Sequence, residues 1–320
     1  MGRTITIAGG GPAGAAAALA AIQGGCGALV MEKSKFPRQK VCGEFFSPEI
    51  EPLLARLGAW QPFLNASPAR IRRLKLNFGA AGKTASLREP GWGLSRSAFD
   101  ALLLQRASAA GAAVSRQAAA AAHILACGRK AAATSRGRRL FGFKAHFEGP
   151  PDDAVELYFF GAAYVGVNAV ENGLTNVCGL AGEELLGRFG FDFDRLLLQS
   201  PALAERVKPL TRRSGWLSTG PLEFRQHFSD TTVYRAGDAL SFVDPFTGSG
   251  LLAAVKTGAL AGMAAARGDP VADYLAQCRQ CLRKPFEIAG ILRNALKWGL
   301  AETVAPLIPS RVLFALTRPR

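Results

Sequence analysis

Residues 4–14 read Thr-Ile-Thr-Ile-Ala-Gly-Gly-Gly-Pro-Ala-Gly, and this stretch limits the fold more sharply than any other. Ile5 and Ile7 alternate with threonines, the pattern of a short buried strand. Gly9, Gly11 and Gly14 then form G-x-G-x-x-G. The first glycine allows a tight turn out of the strand, the second lets backbone approach a pyrophosphate, and the third lets a helix lie close on the strand. From Ala13 to Gln23 the chain is nearly all alanine, the strongest helix former. Pro12 and Ala13 stand at the start of this helix, where free N–H groups and the positive dipole end face a diphosphate. Ala28–Met31 reads as the next strand. It ends in Glu32, eighteen residues after Gly14, where an acid is expected to hold a ribose hydroxyl, with Lys33 beside it. A secretory signal is the competing reading, but Gly9–Gly11 would break its apolar centre and Glu32 would have no role. The motif specifies a dinucleotide without choosing between NAD and FAD.

A second signal follows more than two hundred residues later. Thr231–Ala236 reads as a strand ending in Gly237-Asp238, and an aspartate there can accept hydrogen bonds from a ribose. Asp244-Pro245-Phe246-Thr247 then leads into Gly248-Ser249-Gly250, which opens an alanine-rich helix from Leu251 to about Arg267. Its N-terminus stabilises negative charge, such as that developing at the N1/O2 edge of a reduced flavin. The two signals, in this order, point to FAD.

Taken together these segments resemble the flavoprotein superfamily of p-hydroxybenzoate hydroxylase-type monooxygenases, flavin halogenases and geranylgeranyl reductases. Two further segments carry the resemblance. Phe36-Pro37-Arg38-Gln39-Lys40-Val41-Cys42-Gly43-Glu44-Phe45 is similar to the reductase-like branch, where a Lys-x-Cys-Gly stretch lies near the isoalloxazine ring. Leu94–Asp100 is similar to a segment whose arginine, here Arg96, contacts the cofactor. The resemblance implies an α/β fold: a Rossmann-like FAD-binding domain, an inserted antiparallel β-sheet substrate domain and a C-terminal helical segment. It implies that Gly9, Gly11, Gly14 and Glu32 hold the ADP half. Arg96 and Asp238 fall to the middle of the cofactor, and Arg38 and Gly237 are further cofactor-binding candidates. Pro245, Gly248, Gly250 and Leu251 approach the ring through backbone. Lys40, Cys42 and Glu44 are catalytic candidates by position.

The cofactor domain is expected from residues 1–68, 96–140 and 231–270, the substrate domain from 69–95 and 141–230, and the helical segment from 271–320. In the insert, Arg70–Phe78, Phe141–Phe147, Val155–Phe160, Ala163–Val170 and Leu174–Leu180 read as short strands separated by turn residues. Phe159, Phe160, Tyr164 and Trp216 are candidates to line an apolar substrate pocket, with core packing as the plainer role. One departure from the family falls between Val114 and Arg139, an alanine-rich tract. Cys127 stands where the family carries an aspartate, and Ala131 where it carries a serine. A reduced sheet beside the cofactor is the expected consequence, with FAD binding retained because its other contacts lie elsewhere.

Six cysteines, mostly far apart, indicate a reducing, cytoplasmic setting rather than a disulfide framework. Cys278-x-x-Cys281 has no second pair, so no metal site is expected. The net charge of +15 comes from scattered arginines without aromatic-basic clusters, which argues against nucleic acid as a partner. Ile288, Ile291, Leu292, Ala295 and Leu296 share one helical face opposite Arg293, Asn294 and Lys297. Such a basic amphipathic helix suits peripheral contact with a membrane surface, or packing on the protein body. Charges interrupt every long apolar run, so no membrane span is expected.

No H-E-x-x-H, P-loop or G-x-S-x-G signature supports another catalytic class. The first reading is a flavin reductase or dehydrogenase delivering hydride to a carbon–carbon double bond of a lipophilic, isoprenoid-like substrate. The alternative is an NAD(P)H-dependent monooxygenase acting on an aromatic or polyketide-like substrate. The W-x-W-x-I-P motif of the halogenase branch is absent: Trp92-Gly93-Leu94 and Trp216-Leu217-Ser218 do not match it. A non-catalytic flavin-binding remnant is the reading from a different class, prompted by the alanine-rich tract.

Overall fold

The structure, a computed structural model, describes residues 2–79, 81–117, 121–129, 139–222, 224, 226–242 and 248–282. The chain opens with β1 (Thr4–Ala8), α1 (Pro12–Gln23), β2 (Gly27–Met31), β3 (Phe45–Phe46), α2 (Ile50–Arg56) and α3 (Trp60–Asn65). It continues with β4 (Ala69–Phe78), β5 (Ala81–Gly93), α4 (Arg96–Ala109), β6 (Ala113–Ser115) and β7 (Ile124–Leu125). Next come β8 (Leu140–Glu148), β9 (Ala154–Phe160), β10 (Ala163–Ala169) and β11 (Leu174–Gly182). They are followed by α5 (Glu183–Arg188), α6 (Phe193–Leu197), α7 (Pro201–Val207), β12 (Thr211–Arg212), β13 (Leu217–Thr219), β14 (Tyr234–Arg235) and α8 (Gly250–Arg267). Residues 271–282 are helical.

Two sheets result. A parallel sheet runs β14-β7-β1-β2-β6, drawn from three widely separated parts of the chain. A larger sheet runs β12-β8-β11-β10-β9-β4-β5-β3, with β13 also on β8. The sequence reading of that sheet as antiparallel needs one correction, because β4 and β9 run parallel from Arg73↔Ala154 to Phe78↔Phe159. The chain leaves the sheet after β5, runs through α4, β6 and β7, and returns to it at β8, after which β9 lies beside β4 in the same direction. The helices α5–α7 are a second departure, since this stretch carried no helical expectation. They cover one face of β8–β11, where Phe143, Ala145, Phe147, Tyr158, Phe160, Val165 and Val177 pack with Leu186, Leu196, Leu197 and Leu203.

α1 is buried along its length from Pro12 to Ala21. Alanine is what permits this, because only small side chains allow neighbouring backbones to close in. α8 lies directly on α1: a Cβ added at Gly258 would sit 2.1 Å from the Ala13 carbonyl oxygen, and one at Gly262 2.1 Å from that of Ala17. The same contact brings Gly237 against Ala13, with a Cβ at Gly237 falling 3.0 Å from the Ala13 Cβ. The starts of both glycine-rich helices are therefore fixed relative to each other by backbone contact.

The alanine-rich tract holds β6 and β7, and β7 is only two residues long. His123 supports it from below: its ring Nδ1 lies 2.7 Å from the Thr6 hydroxyl, and the Thr6 N–H donates to the same atom at 3.1 Å. Cys127 is exposed. Ala131, Pro245 and the amphipathic face at 288–296 lie outside the described residues. No described helix is long and apolar enough to cross a membrane, and the described residues contain no group of side chains that could hold a metal ion.

Candidate functional site

Gly9 leaves β1 with φ +105°, and its N–H donates to the Met31 carbonyl at 2.8 Å. A Cβ at Gly14 would fall 1.7 Å from the Gly9 carbonyl oxygen, so α1 can begin only with glycine there. Gly11 caps the helix, and Pro12 stands in its first turn. A Cβ at Gly11 would meet nothing nearer than the Arg38 guanidinium at 3.9 Å, so the space over this helix start is open.

Glu32 is buried beneath that space. Oε2 accepts the Gly10 N–H at 2.8 Å and Oε1 the Ser34 N–H at 2.8 Å, while Arg38 bonds to both oxygens at 3.1 and 3.2 Å. Burial pushes this carboxyl up, but the two backbone donors and Arg38 outweigh it and hold Glu32 below its ordinary value. About four lone-pair sites are available on a carboxylate, and all are engaged. A ribose hydroxyl therefore requires the Arg38 contacts to open. The buried Arg38 Nε has no hydrogen-bond partner among the described residues, so this guanidinium is suited to turn to an anion. Lys33 is exposed.

A ring of charge lies beside the helix start. Arg96, at the first position of α4, is bound by Asp100 through two contacts of 2.7 Å. Burial lowers the Arg96 pKa and Asp100 more than restores it. Asp238 follows Gly237, whose N–H donates to the Thr257 hydroxyl at 2.9 Å. Burial raises Asp238, opposed by Arg96, Arg129 and Lys40. Lys40 is an exposed residue as a whole, and partial desolvation of its ammonium, with Arg38 and Arg96 close by, lowers its pKa. Four cations, Arg38, Lys40, Arg96 and Arg129, thus face three carboxylates. This excess, an open helix N-terminus and the unpartnered Arg38 Nε suit a dinucleotide diphosphate, so the residues present fit FAD.

The start of α8 closes against the Lys40–Phe45 segment. Gly248 has φ +64°, and a Cβ there would meet the Phe45 ring at 2.9 Å. Gly250 is the first residue of α8 and Leu251 is buried behind it. Val41 lies across the large sheet, 3.2 Å from a Cβ built on Gly142.

Behind this segment is a cluster the sequence analysis named only in part. Glu44 is fully buried and has φ +55°, a left-handed conformation costing a non-glycine residue roughly 1–2 kcal/mol. Its Oε1 accepts the Arg96 N–H at 2.6 Å and an N–H of Lys144, and its Oε2 lies 2.6 Å from His146 Nε2. Lys144 also donates to Gln39 Oε1 at 2.9 Å. Asn176, opposite His146 on β11, donates to the Cys42 and Gly43 carbonyls at 3.1 and 2.9 Å. Burial pushes the Cys42 thiol up, with Arg96 opposing it. Cys42 is therefore held as the thiol.

Lys144, His146, Asn176 and Arg129 were missed. A signal for the first two was present: alternation in Phe141–Phe147 places Gly142, Lys144 and His146 on the face opposite Phe143, Ala145 and Phe147. A lysine and a histidine on one face of a buried strand require partners. The expected aromatic lining divides instead of converging. Phe159 and Tyr164 lie on the Lys144 side with Phe45, Phe78 and Leu180, whereas Phe160 and Trp216 pack on the opposite face under α5–α7.

No protein-family model matches the chain. Over 89 residues it is 34% identical to a menaquinone reductase of Mycolicibacterium smegmatis, a match spanning 27% of this chain and 20% of that protein. The solved flavin-dependent brominase Bmp2 is similar over 99% of this chain and 93% of its own, with a TM-score of 0.81 and 17% identity. A geranylgeranyl bacteriochlorophyll reductase-like protein of Thermoplasma acidophilum is similar over 92% of this chain and 88% of its own, with a TM-score of 0.69 and 19% identity. The chain therefore shares its fold with these solved proteins.

Proposed function

We propose that the protein binds FAD and acts as a reductase or dehydrogenase on a lipophilic, isoprenoid-like substrate. The observation carrying the FAD reading is the diphosphate cradle. α1 starts under open space, Glu32 lies below it, and the cations Arg38, Lys40, Arg96 and Arg129 exceed their carboxylate partners. Bound FAD would supply two-electron hydride chemistry, with NAD(P)H as its reductant. The chain's own part is to bind and orient. Arg38 releases Glu32 to the ribose and turns its guanidinium to the diphosphate. Asp238 and the N-terminus of α8 lie along the cofactor toward Phe45. The apolar patch of Phe159, Tyr164, Phe78 and Leu180 takes the lipophilic part of the substrate.

The stretch shared with a menaquinone reductase supports reduction over oxygen insertion, and menaquinone reductase activity itself is a property of that protein. The buried thiol and carboxylate of Cys42 and Glu44 support the same choice, since they offer proton donors and anchors beside the site.

The test is a visible spectrum of purified protein given FAD, then anaerobic NADPH, then either menadione or oxygen. Retained flavin bands that bleach with NADPH and return with menadione are expected. Return only with oxygen, accompanied by oxygen incorporation into an aromatic substrate, supports the monooxygenase reading instead. No retained flavin overturns both.

A further inference from the structure

Glu44, His146 and Lys144 have no role in binding the dinucleotide, yet the fold spends strain and desolvation on bringing them together. Glu44 holds a left-handed backbone conformation, is fully buried, and comes from a loop a hundred residues from the strand that carries its partners. Burying a carboxylate, an ammonium and an imidazole costs several kcal/mol per ion unless each is well paired. A purely structural site would be served as well by apolar side chains of similar volume.

Two details make the cluster more than a closed ion pair. The Glu44 carboxylate orients the imidazole through Nε2, and no described residue bonds to Nδ1, so one ring nitrogen is held and the other is open. Asn176, across the ladder from His146 and fully buried, has an Oδ1 with no hydrogen-bond partner among the described residues. An orphan buried acceptor on the residue paired with His146 across the ladder is a place for a ligand N–H or O–H to be received. The arrangement follows the logic of an acid–base histidine: a ring fixed by a carboxylate, with its other nitrogen turned to the reacting group. Lys144 pairs with the other oxygen of the same carboxylate, so the Glu44 charge is met without the imidazole.

Resting on the FAD reading above, we propose that His146 is the proton donor of the redox site, with Glu44 and Lys144 as its positioning residues. In the step, a hydride given up by the reduced flavin, which would thereby be oxidised, adds to one carbon of the substrate double bond and brings both electrons. The imidazolium N–H bond breaks, its proton forms the second C–H bond, and neutral imidazole remains, still donating through Nε2 to Glu44. Solvent protons reload the ring. Glu44 contacts the ring directly; Lys144 and the Arg96 backbone N–H share the same carboxylate, and Cys42 and Cys178 lie within electrostatic reach of Glu44 and Lys144. Ser214 holds the His146 backbone N–H at 2.9 Å. Arg213 and Glu148 pair with each other at the outer end of β8.

The test needs no known substrate. Two-electron reduction of FAD-loaded protein by dithionite places extra negative charge in the site, and a proton-carrying imidazole answers it by binding a proton. Proton uptake per two electrons is measured with a pH indicator in weakly buffered solution, over a series of pH values. Native protein is expected to take up as much as one proton more than His146→Gln. Glu44→Gln should give an intermediate value, and His227→Gln, at an exposed position, the native one. Should His146→Gln fail to fold, the native protein carries the test, because the chain has three histidines. With His123 and His227 assigned through their own glutamine variants, the third imidazole nitrogen signal is read directly, and it should change protonation on reduction. Equal uptake in native and His146→Gln, or an imidazole signal indifferent to reduction, overturns the proposal while leaving FAD binding intact. Absence of bound flavin overturns the functional reading and this proposal with it.

Discussion

The α1/α8 cradle and the Glu44 cluster lie on either side of the Lys40–Phe45 segment and are built in opposite ways. The cradle is made of glycine and alanine, and its contacts are backbone on backbone at distances no side chain would allow. The cluster is made of charged and polar side chains on two neighbouring strands, β8 and β11, and on a loop 100 to 134 residues earlier in sequence. Steric exclusion holds the first together, so it should fail abruptly. Electrostatic pairing holds the second, so its failure should depend on which partner is removed and on what remains.

The largest effect should come from the cradle. Gly14→Ala forces a Cβ to 1.7 Å from the Gly9 carbonyl, against backbone that cannot move without unseating β1. A loss of about 3 kcal/mol or more is expected, together with loss of flavin retention, read by denaturant unfolding and by absorbance after gel filtration. A stable Gly14→Ala protein with full flavin content would show that the cradle is not steric in origin.

The cluster comes next. Lys144→Met leaves the buried Glu44 carboxylate without its ammonium, which should cost about 3–5 kcal/mol. The double variant Lys144→Met with Glu44→Gln should cost less than the sum of the two single changes, because it removes the uncompensated charge as well as the pair. Additive losses would mean that the two residues act independently.

Smaller still is the cation ring. Lys40→Met leaves the fold intact and should weaken FAD about tenfold, the loss of one charge-assisted contact of about 1.4 kcal/mol. The effect should shrink at high salt. An unchanged affinity would remove Lys40 from the diphosphate site.

The smallest expected effect belongs to Glu32 and depends on pH. Its carboxyl is held below its ordinary value when folded, so the unfolded chain binds the proton more readily. The stability this contributes is present above the ordinary carboxylate range and disappears as pH falls through the folded value. Glu32→Gln should therefore lower stability at neutral pH and flatten the acid limb, so that the two stability curves converge at low pH. A parallel downward shift at every pH would assign Glu32 a packing role instead.

The cradle was legible in the sequence because each of its residues acts through its own backbone. Gly9 and Gly14 are required by a turn and a close approach within a few residues of themselves, and Glu32 by its place at the end of β2. The sheet was legible in its strands but not in its pairing direction. Nothing in Arg70–Phe78 or Val155–Phe160 states that these two strands run parallel; that follows from where the chain re-enters after α4. The four aromatic candidates show the same limit. Phe159 and Phe160 are neighbours in sequence and lie on opposite faces, and only the position of α5–α7 decides which face is covered.

By itself, the sequence determined the dinucleotide cradle, the order of its glycine-led helices and the alternating strands of the insert, because turn geometry, helix propensity and side-chain period are local properties. Tertiary structure alone decided that α8 lies on α1 through Gly258 and Gly262, and that Glu44 meets Lys144 and His146. It also decided that Asn176 faces the Cys42 loop. Those contacts join residues far apart along the chain, and a charged side chain carries no local mark of the partner that makes its burial affordable.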